Sequence, residues 1–254
     1  MTWQPVSGCG SACLDTRGDL VASGRVLLRV LGLVGVLIGG LLLVPLLRRV
    51  AVRAMARALL AVLGITLVWR GPAPRPGSLL VANHVSWLDI VALLAVEPVA
   101  LVAKHDVRGW PVIGVLARLS GSVFLDRTRP RQLPATVGEV AAALRAGRSI
   151  AVFPEGTTFC GAARGRFRPA MFQAAVDARA PVVPIAIRYD STAAAFVGDD
   201  TLWSSVCRVA ARRTLTVTLV AAPALRPAEG TDRRSLARAA QSCVGVGSAF
   251  GLAA

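Results

Sequence analysis

Residues 78–94 read SLLVANHVSWLDIVALL, so a strand-type apolar run is followed by polar residues and then by an apolar helix-type run. Helix-type segments recur around 133–146 and 170–178 and alternate with further strand-type runs. These runs are VALVA (99–103), SVFLD (122–126), SIAVF (149–153), PVVPIAI (181–187) and TLTVTLV (214–220). Short apolar strands between helices are typical of parallel sheets that are covered on both faces. The sequence therefore predicts an α/β fold with a central, mostly parallel sheet and helices on both faces.

The N-terminal part of the chain is apolar enough to enter a membrane. Residues 30–47 read VLGLVGVLIGGLLLVPLL and carry no charge, and as a helix they span about 27 Å, close to the thickness of a bilayer core. Arg49, Arg53 and Arg57 recur every fourth residue, so a second segment over about 50–69 is predicted to be an amphipathic, interfacial helix. A single span and a re-entrant helical hairpin both satisfy this pattern, and a buried core helix is the alternative.

The linker GPAPRPG (71–77) separates this part from the rest of the chain. We expect four units, which are a flexible tail over 1–24, a membrane-associated helical segment over 25–70, an α/β domain over 71–224 and a partly helical C-terminal tail over 225–254. The arginines that follow the apolar run slightly favour a cytoplasmic position for the α/β domain, at the cell membrane.

Composition limits the partners. The net charge is +15, so the protein is attracted to acidic surfaces. Aromatic residues make up only 5% of the chain, and no basic stretch is interleaved with stacking aromatics, so we expect no nucleic acid partner and favour membrane lipids. The five cysteines are odd in number and show no CxxC pair, which predicts reduced thiols and no metal site.

The sharpest local pattern follows the first strand of residues 78–94. His84 and Asp89 are five positions apart, so their side chains can meet only if His84 lies in the loop before the helix. Ser86 is a good N-cap, and Asp89 stands where the acid of a capping box lies. A histidine held by a carboxylate is suited to remove a proton from an alcohol. The alternative for Asp89 is a purely structural role as a helix cap.

A second pattern, VFPEGT (152–157), again follows an apolar strand, and its glycine allows a ligand to approach the backbone closely. With it the chain has four blocks in order: NHVSWLD (83–89), GSVFLDR (121–127), FPEGT (153–157) and VPI (183–185). This order and spacing resembles the motif blocks of the PlsC, or 1-acylglycerol-3-phosphate acyltransferase, family of glycerolipid acyltransferases. The resemblance covers about 78–190.

The resemblance implies that His84 is a general base oriented by Asp89, and that an acceptor hydroxyl attacks the acyl thioester directly. It implies no metal and no cofactor beyond the acyl donor, acyl-CoA or acyl-carrier protein. The acceptor would be a lysophospholipid such as 1-acyl-glycerol-3-phosphate, which gives phosphatidic acid. The residues implied to bind substrate are Asn83, Lys104, Arg127, Glu155, Gly156 and Thr157.

The chain also departs from the common pattern of that family. Thr158-Phe159-Cys160 replaces the Arg-Ser that often follows the EGT block, so recognition of a phosphate needs another arginine, with Arg164, Arg166 and Arg168 as candidates. The alternatives are a different lysolipid acceptor, such as a lyso-ornithine lipid, and a non-catalytic membrane protein that binds lipid. No GxSxG elbow is present, which argues against a serine hydrolase.

Overall fold

The structure is a computed structural model that describes residues 5–15 and 17–249. A seven-stranded sheet has the order β1-β7-β6-β2-β5-β3-β4. The strands are β1 (Ile65–Arg70), β2 (Leu79–Ala82), β3 (Ala100–Lys104), β4 (Val123–Leu125), β5 (Ile150–Val152), β6 (Val182–Tyr189) and β7 (Leu215–Ala221). Every neighbouring pair is parallel except β6 with β7. The predicted fold class is confirmed.

Helices cover both faces of the sheet. They are α1 (Ser23–Leu63), α2 (Leu88–Val96), α3 (Ile113–Leu119), α4 (Leu133–Arg145), α5 (Ala170–Ala178), α6 (Leu202–Ala211) and α7 (Arg233–Ala249). In β2, Leu80 packs in a core with α1, α2 and α6, whereas Leu79 and Val81 pack on the other face with α4, α5 and α7. This alternation, with apolar residues on both faces, explains why the strand is a continuous apolar run.

Helix α1 is a hairpin of two antiparallel arms. Arg48 has a non-helical backbone (φ 40°, ψ −110°) and separates the arms. A Cβ atom on Gly32 would lie 2.8 Å from the Val62 side chain, and one on Gly40 would lie 2.2 Å from Met55 Sδ. Residues early in the first arm therefore face residues late in the second, and these glycines allow the close approach. Of the two arrangements left open by the sequence, the hairpin is the one observed.

Both ends of the hairpin are fixed to the α/β domain. Arg29 donates hydrogen bonds to the carbonyl oxygens of Ala210 and Arg212. In the second arm, Arg53 and Arg57 donate to the Ala95 carbonyl near the end of α2, where a helix presents unpaired carbonyls. Arg53 and Arg57 thus dock the second arm onto α2, and both remain exposed, so the interfacial position of this arm stays a prediction.

The outer surface of the hairpin is apolar. Among the residues that the structure describes, α1 is the one helix long and apolar enough to cross a membrane, with a mean hydropathy of 2.7 over an 18-residue window that is 11% buried. Leu42, Leu46 and Val50 are each more than two-thirds exposed around the tip. An exposed apolar surface of this kind is typical of contact with lipid.

The expected helix over 50–69 ends earlier than predicted. Gly64 adopts a left-handed conformation (φ 72°) that closes α1, and Ile65–Arg70 form β1, paired in parallel with β7 from Ile65–Leu215 to Arg70–Val220. β-Branched and aromatic residues favour a strand here once a partner strand is available. The segment predicted as helical to residue 70 thus supplies an edge strand of the sheet.

The two predicted tails both pack on the domain. Cys9 is buried, and Asp15 contacts Thr192 and Arg212, so residues 5–15 lie against the domain; residues 1–4 and 16 lie outside the described residues. At the other end, α7 buries one face in the core beside α5 through Leu236, Ala237, Ala240 and Val244. Up to residue 249 the C-terminal segment therefore covers the sheet, and residues 250–254 lie outside the described residues.

Candidate active site

The carboxyl ends of β2, β3, β4 and β5 meet at one edge of the sheet, because these strands are parallel. Asn83 follows β2 at this edge, and its side chain continues the strand ladder. Its amide donates to the Ile187 carbonyl at 3.0 Å and accepts from the Ile187 N–H at 2.7 Å. The Asn83 side chain is thus held by β6 and fixes the turn that carries the next residue. A role for Asn83 in binding substrate stays a prediction.

His84 lies in the loop before α2, as its contact with Asp89 requires. Nδ1 of His84 is 2.8 Å from Oδ2 of Asp89. Asp89 is fully buried, whereas the His84 side chain is 19% exposed. The imidazole stacks on Phe153 with ring centroids 4.0 Å apart and an interplanar angle of 16°. The ring is therefore held at two sides while its edge remains accessible.

Asp89 accepts four hydrogen bonds. Oδ2 accepts from the backbone N–H groups of Val85 (2.6 Å) and Ser86 (2.9 Å) as well as from His84, and Oδ1 accepts from the Tyr189 hydroxyl at 2.7 Å. The bond from Ser86 is the acid half of the predicted capping box. Because Asp89 acts as the acceptor throughout, Nδ1 of His84 carries the proton and Nε2 presents a lone pair.

Tyr189 was not identified from the sequence. It ends β6, 100 positions from Asp89, and is the only tyrosine in the chain. Burial, together with the neighbouring Asp89 carboxylate, raises the pKa of the Tyr189 hydroxyl well above its usual range. The hydroxyl therefore remains a donor and holds the carboxylate from the side opposite His84.

Glu155 is buried and joins two loops of the site. Oε2 accepts from the His84 backbone N–H at 2.6 Å, and Oε1 accepts from the Gly165 N–H at 2.8 Å. A Cβ on Gly165 would lie 3.2 Å from Glu155 Cβ and 2.4 Å from the Phe159 ring, so glycine permits this approach. Burial raises the pKa of Glu155 above its usual value of 4.5, and the two backbone N–H groups oppose this shift.

The raised pKa of Glu155 predicts a pH-dependent stability. The folded protein holds the Glu155 proton more tightly than the unfolded chain does. The protonated side chain therefore contributes fully to the free energy of unfolding below pH 4.5, and this contribution is lost as the pH rises through the folded-state pKa. We expect the thermal midpoint of the wild type, relative to Glu155→Gln, to fall as the pH rises above 4.5. Glu139→Gln, which removes an exposed carboxylate on α4, is the control. A constant difference between wild type and Glu155→Gln would contradict the shift.

Gly156 and Thr157 follow Glu155 in the same loop. Gly156 has a positive φ of 76°, and a Cβ there would lie 2.7 Å from Pro5 Cγ, so both the backbone and the N-terminal segment require glycine. Thr157 is partly exposed at this edge. The loop is therefore open to a ligand on the side of Thr157 and covered by residue 5 on the side of Gly156.

Arg127 and Lys104 lie at the ends of β4 and β3. Arg127 donates to the Gly156 carbonyl, so it supports the EGT loop directly. Burial, followed by repulsion from Arg168, lowers the pKa of Arg127, and Asp106 opposes this effect. Lys104 is half exposed and forms an ion pair with Asp106. Asp106 therefore interacts with both basic residues, and of the two it is Arg127 that bonds to the EGT loop.

A basic cavity of about 370 Å³ lies beside Glu155. Four arginines line it, two from the loop before α5 and two from adjacent turns of α7: Arg166, Arg168, Arg234 and Arg238. Of the three candidates for the missing arginine, Arg166 and Arg168 reach this cavity, whereas Arg164 lines a separate one of about 190 Å³. The contribution of α7 was not predicted, because it depends on the packing of the C-terminal helix.

Comparisons with known proteins agree with this geometry. A family model described as Acyltransferase matches residues 67–188. The chain is 36% identical over 196 residues to the 1-acyl-sn-glycerol-3-phosphate acyltransferase of Neisseria gonorrhoeae, covering 74% of this chain and 77% of that protein. The chain belongs to the acyltransferase family. This acyltransferase is also 37% identical over 191 residues to a lyso-ornithine lipid O-acyltransferase of Pseudomonas aeruginosa, with 72% of each chain covered.

A solved structure shares the fold of the acyltransferase. The crystal structure of the 1-acyl-sn-glycerophosphate (LPA) acyltransferase PlsC from Thermotoga maritima matches with a TM-score of 0.71, covering 91% of this chain and 95% of that chain at 21% identity. At this identity the match shows the fold alone. The predicted membership of the PlsC-type family is confirmed by the sequence relatives, and the solved structure shares the fold.

Proposed function

We propose that this acyltransferase moves a fatty acyl group from a thioester donor to the free hydroxyl of 1-acyl-glycerol-3-phosphate. The His84–Asp89 pair, at 2.8 Å, supports this proposal because it leaves a lone pair on Nε2 for the hydroxyl proton. The acceptor oxygen bonds to the acyl carbonyl carbon, the C–S bond breaks, and the proton passes from His84 to the leaving thiolate. The products are the ester and the free thiol, and His84 returns to its neutral form.

The basic cavity favours a phosphate acceptor over an aminoacyl one. The four lining arginines lie next to Glu155, which is bonded to the His84 backbone, and Arg127 and Arg168 repel each other across Gly156. A phosphate would satisfy several guanidinium groups and relieve that repulsion. The ornithine headgroup carries an ammonium group beside its carboxylate and has no net charge, whereas a phosphate monoester carries up to two negative charges, so four arginines favour the phosphate. The relatives include both acceptor classes at similar identity, so sequence identity does not distinguish the acceptors. Our proposal of a phosphate acceptor therefore rests on the charge of the cavity.

We expect Arg234→Gln and Arg238→Gln each to raise the KM for lysophosphatidic acid about tenfold or more, with a small effect on kcat. The loss of one charge-assisted hydrogen bond, about 1.5–3 kcal/mol, sets this scale. Both residues lie on α7, outside the loops that hold His84, so they test the cavity separately from the base. Arg145→Gln, an exposed change at the far end of α4, is the control.

The measurement is acyl transfer by the purified protein in detergent, with lysophosphatidic acid and lyso-ornithine lipid as parallel acceptors and with acyl-CoA or acyl-carrier protein as donor. Transfer to lysophosphatidic acid that weakens in both α7 variants supports the phosphate assignment. Transfer only to lyso-ornithine lipid would keep the acyl-transfer chemistry and exclude this acceptor.

The hairpin supports attachment to the membrane that holds the acceptor. Its outer surface around the tip is apolar and exposed, whereas Val44 and Val52 on the inner side pack against Leu116 of α3. The two arms are bonded to the domain at Ala210 and Ala95. Both ends therefore lie on one side of the bilayer, and the site faces the same side. A cytoplasmic position for that side stays a prediction; protease access to α7 in sealed inverted vesicles, but not in right-side-out vesicles, would support it.

A further inference from the structure

Three cysteines from distant parts of the chain meet beside the active site. The Sγ atoms of Cys9, Cys13 and Cys160 lie within 4.8 Å of one another. Cys13 ends the 3₁₀ helix Ser11–Cys13, and Cys160 belongs to the loop after Glu155, 151 positions from Cys9. The spacing of the cysteines along the chain could not indicate this cluster, because Cys160 is brought to Cys9 and Cys13 by the fold and not by a local motif.

The surroundings of these thiols enclose them and hold them close together. Cys9 and Cys160 are each 6% exposed, and Val85, Ala195 and Val197 form apolar walls around them. The backbone N–H of Cys160 points at Sγ of Cys9 with a separation of 3.4 Å. This hydrogen bond holds Sγ of Cys9 against the loop that carries Cys160.

We propose that Cys9, Cys13 and Cys160 bind one Zn²⁺ ion. Thiolates select soft or borderline cations, and a Zn–S distance of about 2.3 Å places two sulfurs of a tetrahedral site about 3.8 Å apart, which small side-chain rotations achieve here. A disulfide would use two of the thiols and leave the third without a role. Each thiol releases its proton on binding, and the fourth position of the ion is left for water.

The bound ion ties the N-terminal segment to the catalytic loop. The residue before Cys160, Phe159, donates its backbone N–H to the His84 carbonyl at 2.8 Å. In the same segment as Cys9, Pro5 lies against Gly156. The zinc site would therefore fix both the loop that positions His84 and the segment that covers the EGT turn. This inference does not depend on the identity of the acyl acceptor.

The test uses the full-length protein in detergent, stripped of metal under a phosphine reductant and titrated with Co²⁺ and then Zn²⁺. We expect one equivalent of Co²⁺ per chain with sulfur-to-cobalt charge-transfer absorption, which Zn²⁺ displaces, and a rise in Tm with Zn²⁺. Cys13→Ser, the change at the least buried ligand, should weaken binding by at least about tenfold. Cys207→Ser and Cys243→Ser remove the other two cysteines and should leave binding unchanged.

Absence of thiolate-to-cobalt absorption in the reduced wild type would overturn the proposal. Unchanged binding in both Cys9→Ser and Cys13→Ser, with thermal midpoints that show folded protein, would also overturn it. Isolation of the wild type with a Cys9–Cys160 disulfide that persists in reducing cytosol would do the same, since two ligands would then be lost.

Discussion

Replacing His84 with alanine should lower the rate of acyl transfer by about 10²–10⁴-fold, because it removes the imidazole that we propose as the base for the hydroxyl proton. The fold should survive, since the ring is partly exposed and its loop is held by other groups. The His84 backbone N–H still donates to Glu155, and Oδ2 of Asp89 still accepts from Val85 and Ser86. The measurement is kcat with saturating donor and lysophosphatidic acid.

The chain provides a matched control for this substitution. His105, the other of its two histidines, is exposed in the 3₁₀ helix His105–Gly109. His105→Ala should transfer acyl groups at close to the wild-type rate, and both variants should bind vesicles equally because the hairpin is unchanged. Retained transfer by His84→Ala would contradict the general-base assignment, whereas equal losses in both variants would show that the effect is not specific to the base.

Local sequence determines much of this site. The five-residue spacing of His84 and Asp89 predicts their contact because both lie within one strand-loop-helix unit, and the structure places them 2.8 Å apart. Strands β2 to β7 were predictable for the same reason, as each buried run shows its own apolar pattern. The end of α1 was misjudged because the strand character of Ile65–Arg70 depends on pairing with β7, which is remote in sequence.

The remaining parts of the site depend on long-range packing. Tyr189 reaches Asp89 only because β6 lies next to β2 in the sheet. The arginines of α7 read as a basic tail, although Leu236 and Ala240 occur at helical spacing on the opposite face and mark a helix that packs on the domain. That spacing was a usable signal for the helix. The position of its arginines beside Glu155 could not be predicted, since no local pattern specifies it.

Asp89→Asn should lower kcat by roughly 10²–10⁴-fold with a much smaller change in Tm, because it removes the charge that stabilises protonated His84 while the geometry can persist. The Asn oxygen can take the place of Oδ2 and accept from His84, Val85 and Ser86. Its amide then faces the Tyr189 hydroxyl, which can accept a hydrogen bond instead of donating one.

Tyr189→Phe distinguishes the effect of the Asp89 charge from the effect of positioning the Asp89 carboxylate. It removes the single hydrogen bond to Oδ1 of Asp89 and keeps the negative charge, so we expect a fall in kcat of about tenfold or less, on the scale of one hydrogen bond. Side-by-side kcat and thermal-midpoint measurements on the two variants decide between the roles. If Asp89→Asn loses no more activity than Tyr189→Phe, the carboxylate acts by holding the loop and not by stabilising the charged imidazole.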